Sequence, residues 1–453
     1  MKKKTKIIGL CVAVIALVGI IFICIFALKP KKEFEVLDQS GEVIATFDKW
    51  YTLEEPEMVY CDVAVSEASE ILAEKYNCSV EKAKNMLWDK KFQVYTYYEE
   101  DVQSALTIAC VRYKKDFSCG AAVTDLQGNI VAAYGHGVDH MDVNYAMHSA
   151  SPYSSLKPLS VYAQAIEKGV INWSSTYEDS AYKQVTSSDG TKRDWPANAN
   201  GKYGNKDVTI YEAIRKSLNT VAVKCLSDVG ILSSVEFLQG KFEIPLSSEQ
   251  YTATVHGGEE VIGNLGMGYL KEGVTPIDMA GYYQIFATGG VYNKPSTIYM
   301  ICDAKGKELY TREYTPKEVI TPVTADLMNK LLQGVAKTGG TGVEAFCETT
   351  QVAGKTGSAD GNAHCWFAGI TPEYSCAIWH GQHYKNLAPV LFSRTMERVY
   401  EGDVELKNVF AMHSNLQKIM YCEESGMGMS KDCTLVQMGY YVPGTQLETC
   451  NKH

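Results

Sequence analysis

Polar and apolar residues change their spacing several times along the chain, and each change marks an element. Ile7 to Leu28 is one unbroken apolar run, preceded by Lys2, Lys3, Lys4 and Lys6 and followed by Lys29, Lys31 and Lys32. It is long enough to cross about 30 Å of hydrocarbon and reads as a single membrane-spanning anchor. The competing reading is a cleaved signal peptide, which has an apolar core of roughly 7 to 15 residues and a small-x-small exit. The lysines are divided nearly evenly, so they place the N-terminus in the cytoplasm only weakly. Phe34 to Phe47 alternates around Asp38-Gln39-Ser40-Gly41 and predicts a short hairpin. Helical spacing runs from about Val63 to Leu87 with a break near Asn77-Cys78-Ser79; Phe92 to Tyr98 predicts a strand, and Asp101 to Tyr113 a helix.

Gly120 to Asp125 and Ile130 to Tyr134, joined at Gln127-Gly128-Asn129, predict a half-buried β-hairpin. From Ser154 to Gly169, Leu156, Leu159, Tyr162, Ala163 and Ile166 recur at helical spacing, and Pro158, tolerable only in a first turn, sets the start near Ser154. Thr176 to Asn205 is rich in Ser, Asp, Asn, Gly and Tyr and reads as a long surface loop. Thr209 and Glu212 form a capping-box pair, a further helix runs from Val221 to Gly230, and another from Ala325 to Ala336. Gln351 to Ser358, Cys365 to Ile370 and Tyr374 to Trp379 predict successive antiparallel strands. The whole predicts an α/β (α+β) fold, an antiparallel sheet flanked by helices. Its expected parts are a cytoplasmic tail (1–6), the anchor (7–28), a pedestal and linker (29–115), one large domain (116–420) and a Cys-containing tail (421–453).

Composition narrows the partners. At 453 residues with 46% hydrophobic and 21% charged residues, the chain can bury a large core. A formal net charge of -10, without a basic run beyond the N-terminus, argues against nucleic acid. Of the 14 cysteines, Cys422, Cys433 and Cys450 fall in one short polar segment, where a Cys422–Cys433 bridge suits an oxidising compartment. No Cys-x-x-Cys pair occurs, which excludes a zinc ribbon. His136/His140 and His380/His383 have ligand-like spacing, but neither pair sits with carboxylates in a recognised site, and they read as loop or surface histidines. Gly263 to Gly268 reads as a turn, not a nucleotide cradle; no cofactor or metal is expected.

The candidate chemistry lies in three short motifs. Ser154 and Lys157 stand one helical turn apart, where a neutral lysine can take the serine's proton. Ser-x-x-Lys alone is weak, since it recurs at Ser79/Lys82 and Ser180/Lys183. Lys-Thr-Gly also occurs twice, and the copy at Lys337 reads as the end of a helix. The ordered set Ser154/Lys157, Ser217/Asn219 and Lys355-Thr356-Gly357 is more specific: it is the signature shared by penicillin-binding proteins and class A β-lactamases.

Pro152 to Pro158, Ala213 to Asn219, and Val352 to Gly357 followed by Trp366 to Pro372 resemble the corresponding segments of class A-like penicillin-binding proteins. Phe92 to Ala105, Gly339 to Gly342 and the tail from Cys422 resemble their linker, glycine-rich turn and C-terminal end. The resemblance implies a serine acyltransferase/β-lactamase-like fold and a membrane-anchored D,D-transpeptidase facing outside the cell, acting on peptidoglycan stem peptides and binding β-lactams. It makes Ser154 the nucleophile, Lys157 its base if burial and Lys355 keep it neutral, and Ser217 a proton relay. Asn219 and Thr356 would hold substrate beside Gly357, and the N–H groups of Ser154 and Ser358 would bind the oxyanion. The chain departs from the family in having Tyr153 for the usual Gly before the nucleophile, Leu156 for Phe and Ser358 for Thr. Only about 60 residues separate Leu28 from Phe92, too few for the glycosyltransferase domain of bifunctional relatives, so a separate glycosyltransferase partner is implied. A D,D-carboxypeptidase or β-lactamase-type hydrolase and a non-catalytic penicillin-binding sensor are the alternatives.

Overall fold

The computed structural model describes residues 34–47, 51–186, 189–244, 246, 252–254, 260–262, 264–381, 383–403 and 405–453. The apolar run Ile7 to Leu28, expected to be an anchor, lies outside the described residues. Among the described residues no helix is long and apolar enough to cross a membrane.

The chain begins with the expected hairpin, β1 (Phe34–Leu37) and β2 (Val43–Phe47). α1 (Pro56–Tyr76) starts earlier than the apolar spacing suggested because Pro56 fixes its first turn. It ends where expected, at Asn77 in the left-handed conformation, and Ser79 caps α2 (Val80–Asp89) by accepting from the Lys82 N–H. That capping role settles the Ser79/Lys82 copy of the motif. β3 (Gln93–Thr96) and α3 (Glu100–Val111) follow. β3 pairs in parallel with β1 on one side and antiparallel on the other with β6 (Ile298–Cys302), which pairs in turn with β7 (Glu308–Thr311). The resulting sheet, β7-β6-β3-β1-β2, joins the start of the chain to a hairpin from deep within its second half. Glu67 of α1 fastens the same junction by accepting from the Thr297 N–H at 2.7 Å and its hydroxyl at 2.6 Å.

The central sheet is antiparallel, in the order β8-β9-β10-β4-β5, where β4 is Cys119–Asp125, β5 Ile130–His136, β8 Ala353–Ser358, β9 Cys365–Ile370 and β10 Tyr374–His380. The β4–β5 hairpin was expected to be half buried, yet both strands are buried along nearly their whole length. Both faces are covered: Ala121, Val123 and Ile378 point into one apolar cluster with Leu106 of α3 and Phe392, while Ala122 and Ala377 join another with Met279 and Ala280. Phe392 belongs to α10 (Ala388–Gly402), and Met279 and Ala280 to α8 (Pro276–Tyr283). Small residues in the strands let the helices approach closely on either side. This is the mixed α/β arrangement expected, with β8 on an edge.

Three local expectations change. The segment opening at Ser154 is not a continuous α-helix: it begins as a 3-10 turn over Tyr153–Ser155, widens to a π-turn over Pro158–Tyr162 and closes as α4 (Ala163–Glu167). Pro158 lacks an N–H, and its carbonyl accepts from Ala163, five residues on. The capping box at Thr209 is half formed, because the Glu212 carboxylate turns to Arg215 at 2.7 Å and Lys216 at 2.8 Å instead of back to the helix start. The loop from Thr176 contains two small antiparallel pairings, Thr176–Glu178 with Asp207–Thr209 and Lys183–Thr186 with Lys192–Trp195.

Candidate active site

Ser154 lies in a turn wedged between two glycines. A Cβ on Gly357 would stand 2.3 Å from the Pro152 carbonyl oxygen, and one on Gly268 1.8 Å from that of Tyr153. Side chains at either position would push the turn aside. The turn is further fixed from within and behind. The Ser155 hydroxyl donates to Pro152 O at 2.6 Å, the Tyr283 hydroxyl donates to Ser155 O, and the Trp366 indole to Ser151 O at 2.9 Å. Tyr153 itself has φ +48°, a left-handed conformation that costs a non-glycine residue about 1–2 kcal/mol. This gives a backbone reason for glycine at the position before the nucleophile. The tyrosine ring lies beside Tyr269 and His364.

Lys157, one turn beyond Ser154, is completely buried, as is Lys355 on β8. Lys157 Nζ donates to Asn219 Oδ1 at 2.6 Å and to the Ser217 carbonyl at 3.2 Å. Lys355 Nζ donates to the Ser217 hydroxyl at 2.8 Å and to Thr356 O at 3.2 Å. Burial holds the Lys157 amine well below its usual pKa, and the neighbouring Lys355 lowers it further. Lys355 is brought down to about 7 by burial. A neutral amine has two N–H bonds and one lone pair. In that neutral form, Asn219 and Ser217 would accept both N–H bonds of Lys157 and leave the lone pair to receive a proton.

Ser217 reaches both lysines because it caps α5 (Ile210–Lys216) in the left-handed conformation, φ +58°, just before α6 (Asn219–Val229). Its carbonyl faces Lys157 and its hydroxyl Lys355. The loop from Thr176 holds this link in place: Asn198 Oδ1 accepts from the Asn219 N–H at 2.9 Å, and Asn219 Nδ2 donates to Ala197 O at 2.8 Å. Asn198 is tied in turn to Asp179 at 2.7 Å, and Asp179 also accepts from Thr220 at 2.6 Å. The segment read as a surface loop is thus the scaffold of Asn219.

The third motif is completed by Thr341, inside the Gly339 to Gly342 turn, and by Asn386, which the sequence did not single out. Thr356 shares a 2.8 Å hydrogen bond with Thr341 in the turn after Gly340. Asn386 donates to Gly357 O at 3.1 Å, Ser358 Oγ at 3.2 Å and Trp366 O at 3.1 Å, fixing the exposed end of β8. Asn386 Oδ1 also accepts from the Ala388 N–H at 3.0 Å, which ties the same residue to the start of α10. The structure thus joins Lys157, Ser217, Asn219 and Lys355 by hydrogen bonds and sets Thr356, Gly357 and Ser358 along the strand beside the Ser154 turn. The other copies are elsewhere: Ser180 bonds Glu178 and Lys224, and Lys337 follows the helix Pro322–Gln333. His380, half of a ligand-like pair, accepts from Leu387 N at 2.9 Å and contacts Gly381 O at 2.7 Å through its other nitrogen. A cavity of about 600 Å³ is lined by Asp179, Asn198, Arg215, Leu218 and Tyr421 but by neither Ser154 nor the lysines, so it lies beside the Ser217–Asn219 link and not over the nucleophile.

Known proteins share the family and the fold. "Penicillin-binding protein 1A" of Clostridium botulinum strain Hall is 27% identical over 363 residues, covering 75% of this chain and 42% of that protein. The protein of the same name from Clostridium acetobutylicum is 30% identical over 342 residues, covering 70% and 40%. The chain therefore spans about two fifths of the length of these curated relatives. In fold it is similar to the D,D-transpeptidase domain of a peptidoglycan glycosyltransferase from Eggerthella lenta, with TM-score 0.61 and 19% identity over 82% of this chain and 98% of that one. It is also similar to PonA1 from Mycobacterium tuberculosis in complex with penicillin V, with TM-score 0.62 and 21% identity over 79% and 96%. Residues 120–380, more than half the chain and spanning all three motifs, match the family model for the penicillin binding protein transpeptidase domain, and the chain belongs to that family.

Proposed function

We propose that the protein is a serine D,D-transpeptidase that cross-links peptidoglycan stem peptides through an acyl-enzyme at Ser154. The observation that carries this reading is that Ser217 joins two buried lysines, its carbonyl accepting from Lys157 and its hydroxyl from Lys355, with Lys157 one turn from the serine. Ser154 Oγ attacks the carbonyl of the penultimate D-alanine, and its proton passes to Lys157. The oxyanion forms between the N–H groups of Ser154 and Ser358. It collapses to an ester as the terminal D-alanine leaves, protonated through Ser217. An amine of a second stem peptide then attacks the ester and restores the serine. Asn219, Thr356 and the edge of β8 position the extended peptide by strand addition. Lys355 and Thr356 receive its carboxylate. β-Lactams enter the same acylation. The Ile7 to Leu28 run would anchor the protein with this cleft outside the cell, and a separate glycosyltransferase would supply the glycan.

The test is fluorescent-penicillin labelling of wild type beside Ser154→Ala, followed by incubation with pentapeptide glycan. Labelling confined to wild type, with a cross-linked peptide as product, supports the reading. A label that survives the substitution, or a product that is only the trimmed tetrapeptide, overturns it.

A further inference from the structure

The tail brings together four side chains that the acyl-transfer site does not use. β11 (Gln417–Cys422) and β12 (Val436–Tyr441) form a hairpin, with Cys422 at the end of the first strand and Cys433 in the connection. The chain then returns to the same place. Gly428 bridges to both Tyr421 and Thr449, and Cys450 N donates to Gly428 O at 2.8 Å. The result is that one ligand atom from each of Cys422, Cys433, Cys450 and His453 lies within 4.8 Å of every other.

We propose that Cys422, Cys433, Cys450 and His453 form a structural zinc site. Three thiolates and one imidazole are a standard closed donor set for Zn²⁺, and four protein ligands leave no open position for catalysis. Zinc–sulfur bonds of about 2.3 Å place tetrahedral ligands about 3.8 Å apart, so the cluster needs only a small contraction. Cys422 Sγ and His453 Nε2 are already 3.5 Å apart. The surroundings suit bound thiolates. Ser425 Oγ donates to Cys450 Sγ at 3.2 Å, the Ser430 N–H lies 3.3 Å from Cys433 Sγ, and the Ser430 hydroxyl lies at the same distance. Donors of this kind orient and stabilise metal-bound sulfur. His453 Nε2 also stands 3.0 Å from Glu424 Oε2, a contact the metal would replace.

The Cys422–Cys433 bridge expected from the sequence is not formed; both are thiols, as is Cys450. A disulfide between any two would leave the third sulfur and the imidazole converging on nothing. The four proposed ligands come from three separate stretches of the tail, so no Cys-x-x-Cys spacing marks them in the sequence. Beyond Phe410, the buried apolar side chains among the described residues are Tyr421, Cys422, Tyr441 and Cys450, and Tyr421 and Tyr441 join the main core of the large domain. A bound metal would add to that attachment by tying the three cysteine-bearing stretches together.

The full-length protein, purified under reducing conditions from zinc-supplemented cells, is expected to carry zinc in equal stoichiometry by elemental mass spectrometry. Replacement by Co²⁺ should give the intense thiolate charge-transfer absorption of a tetrahedral site. Cys433→Ser should lose the metal. His453→Ala, at an exposed residue and so without harm to folding, should weaken zinc binding at least tenfold and alter the cobalt spectrum. Cys78→Ser, far along the chain in the turn before α2, should retain both. Free-thiol wild-type protein without zinc, full zinc in Cys433→Ser, or a disulfide among these cysteines in protein taken from cells would each overturn the proposal.

Discussion

Replacing Lys355 by Met should make the protein more stable and less active at once. The amine is buried and holds its proton only to about pH 7, against an ordinary value of 10.5. At about 1.36 kcal/mol per pK unit, the charged form costs the fold on the order of 4 kcal/mol at pH 7. Its hydrogen bonds to Ser217 Oγ and Thr356 O offset roughly 2 kcal/mol of this. Methionine has similar length without the charge, so Lys355→Met should gain roughly 2 kcal/mol at pH 7 and raise the melting temperature by roughly 4 °C. The pH dependence gives the sharper test. Between pH 7 and 10.5 the unfolded chain keeps a proton that the folded protein has released, so wild-type stability rises with pH across that window. Below it the penalty is fully present. The variant's advantage should therefore be largest near pH 6 and nearly gone by pH 9. Thermal melts of both proteins at pH 6, 7 and 9 measure it, and other titrating groups cancel in the comparison. Penicillin acylation should meanwhile fall about a hundredfold, as expected for losing a buried charged donor and freeing Lys157 to hold its own proton. A variant less stable than wild type at pH 6, or an advantage that grows with pH, would refute the reasoning.

Three further outcomes follow from the same geometry. If Lys355 holds the substrate carboxylate as proposed, the rate of wild-type acylation should decline as pH rises above about 7, where Lys355 loses its charge; stopped-flow rates that keep rising to pH 9 exclude that role. Asn386→Ala removes donors to Gly357 O, Ser358 Oγ and Trp366 O and should slow acylation roughly tenfold at a stability cost of about 1–3 kcal/mol, measured by labelling kinetics and melting. At position 153 the ordinary ranking of Ala over Gly should reverse. Tyr153→Gly relieves the left-handed backbone, whereas Tyr153→Ala retains it, so Gly should be the more stable by about 1 kcal/mol in urea titration.

The central sheet and the three motifs were legible because their signals are local. Val352 to Ser358 and Cys365 to Ile370 read as strands from short runs of residues, and the order of the motifs singled out Ser154 over Ser79 and Ser180. What the sequence hid depends on contacts across distance. Asp179 and Asn198 look like ordinary loop polar residues until Thr220 and Asn219 are brought to them. The left-handed conformation of Ser217 has no composition signal, since serine usually avoids it, and only the surrounding bonds hold it there. The half-formed box at Thr209 failed for a similar reason, because Glu212 has basic neighbours three and four residues on. The β4–β5 strands were read as half buried because nothing in their own residues announces the helices that arrive later to cover the second face.

The sheet that joins β1, β2 and β3 to β6 and β7 also dictates an order of assembly. The first hairpin can form as soon as it is made, but β3 finds its antiparallel neighbour only once Ile298 to Cys302 has been synthesised. Until then the apolar side of α1, including Val63, Ala64 and Leu72, has only part of its cover. Pairings of such wide sequence separation are slow and leave sticky intermediates. A fragment cut between β3 and β6 would leave the β3 edge unpaired and part of the apolar side of α1 uncovered, a surface prone to self-association.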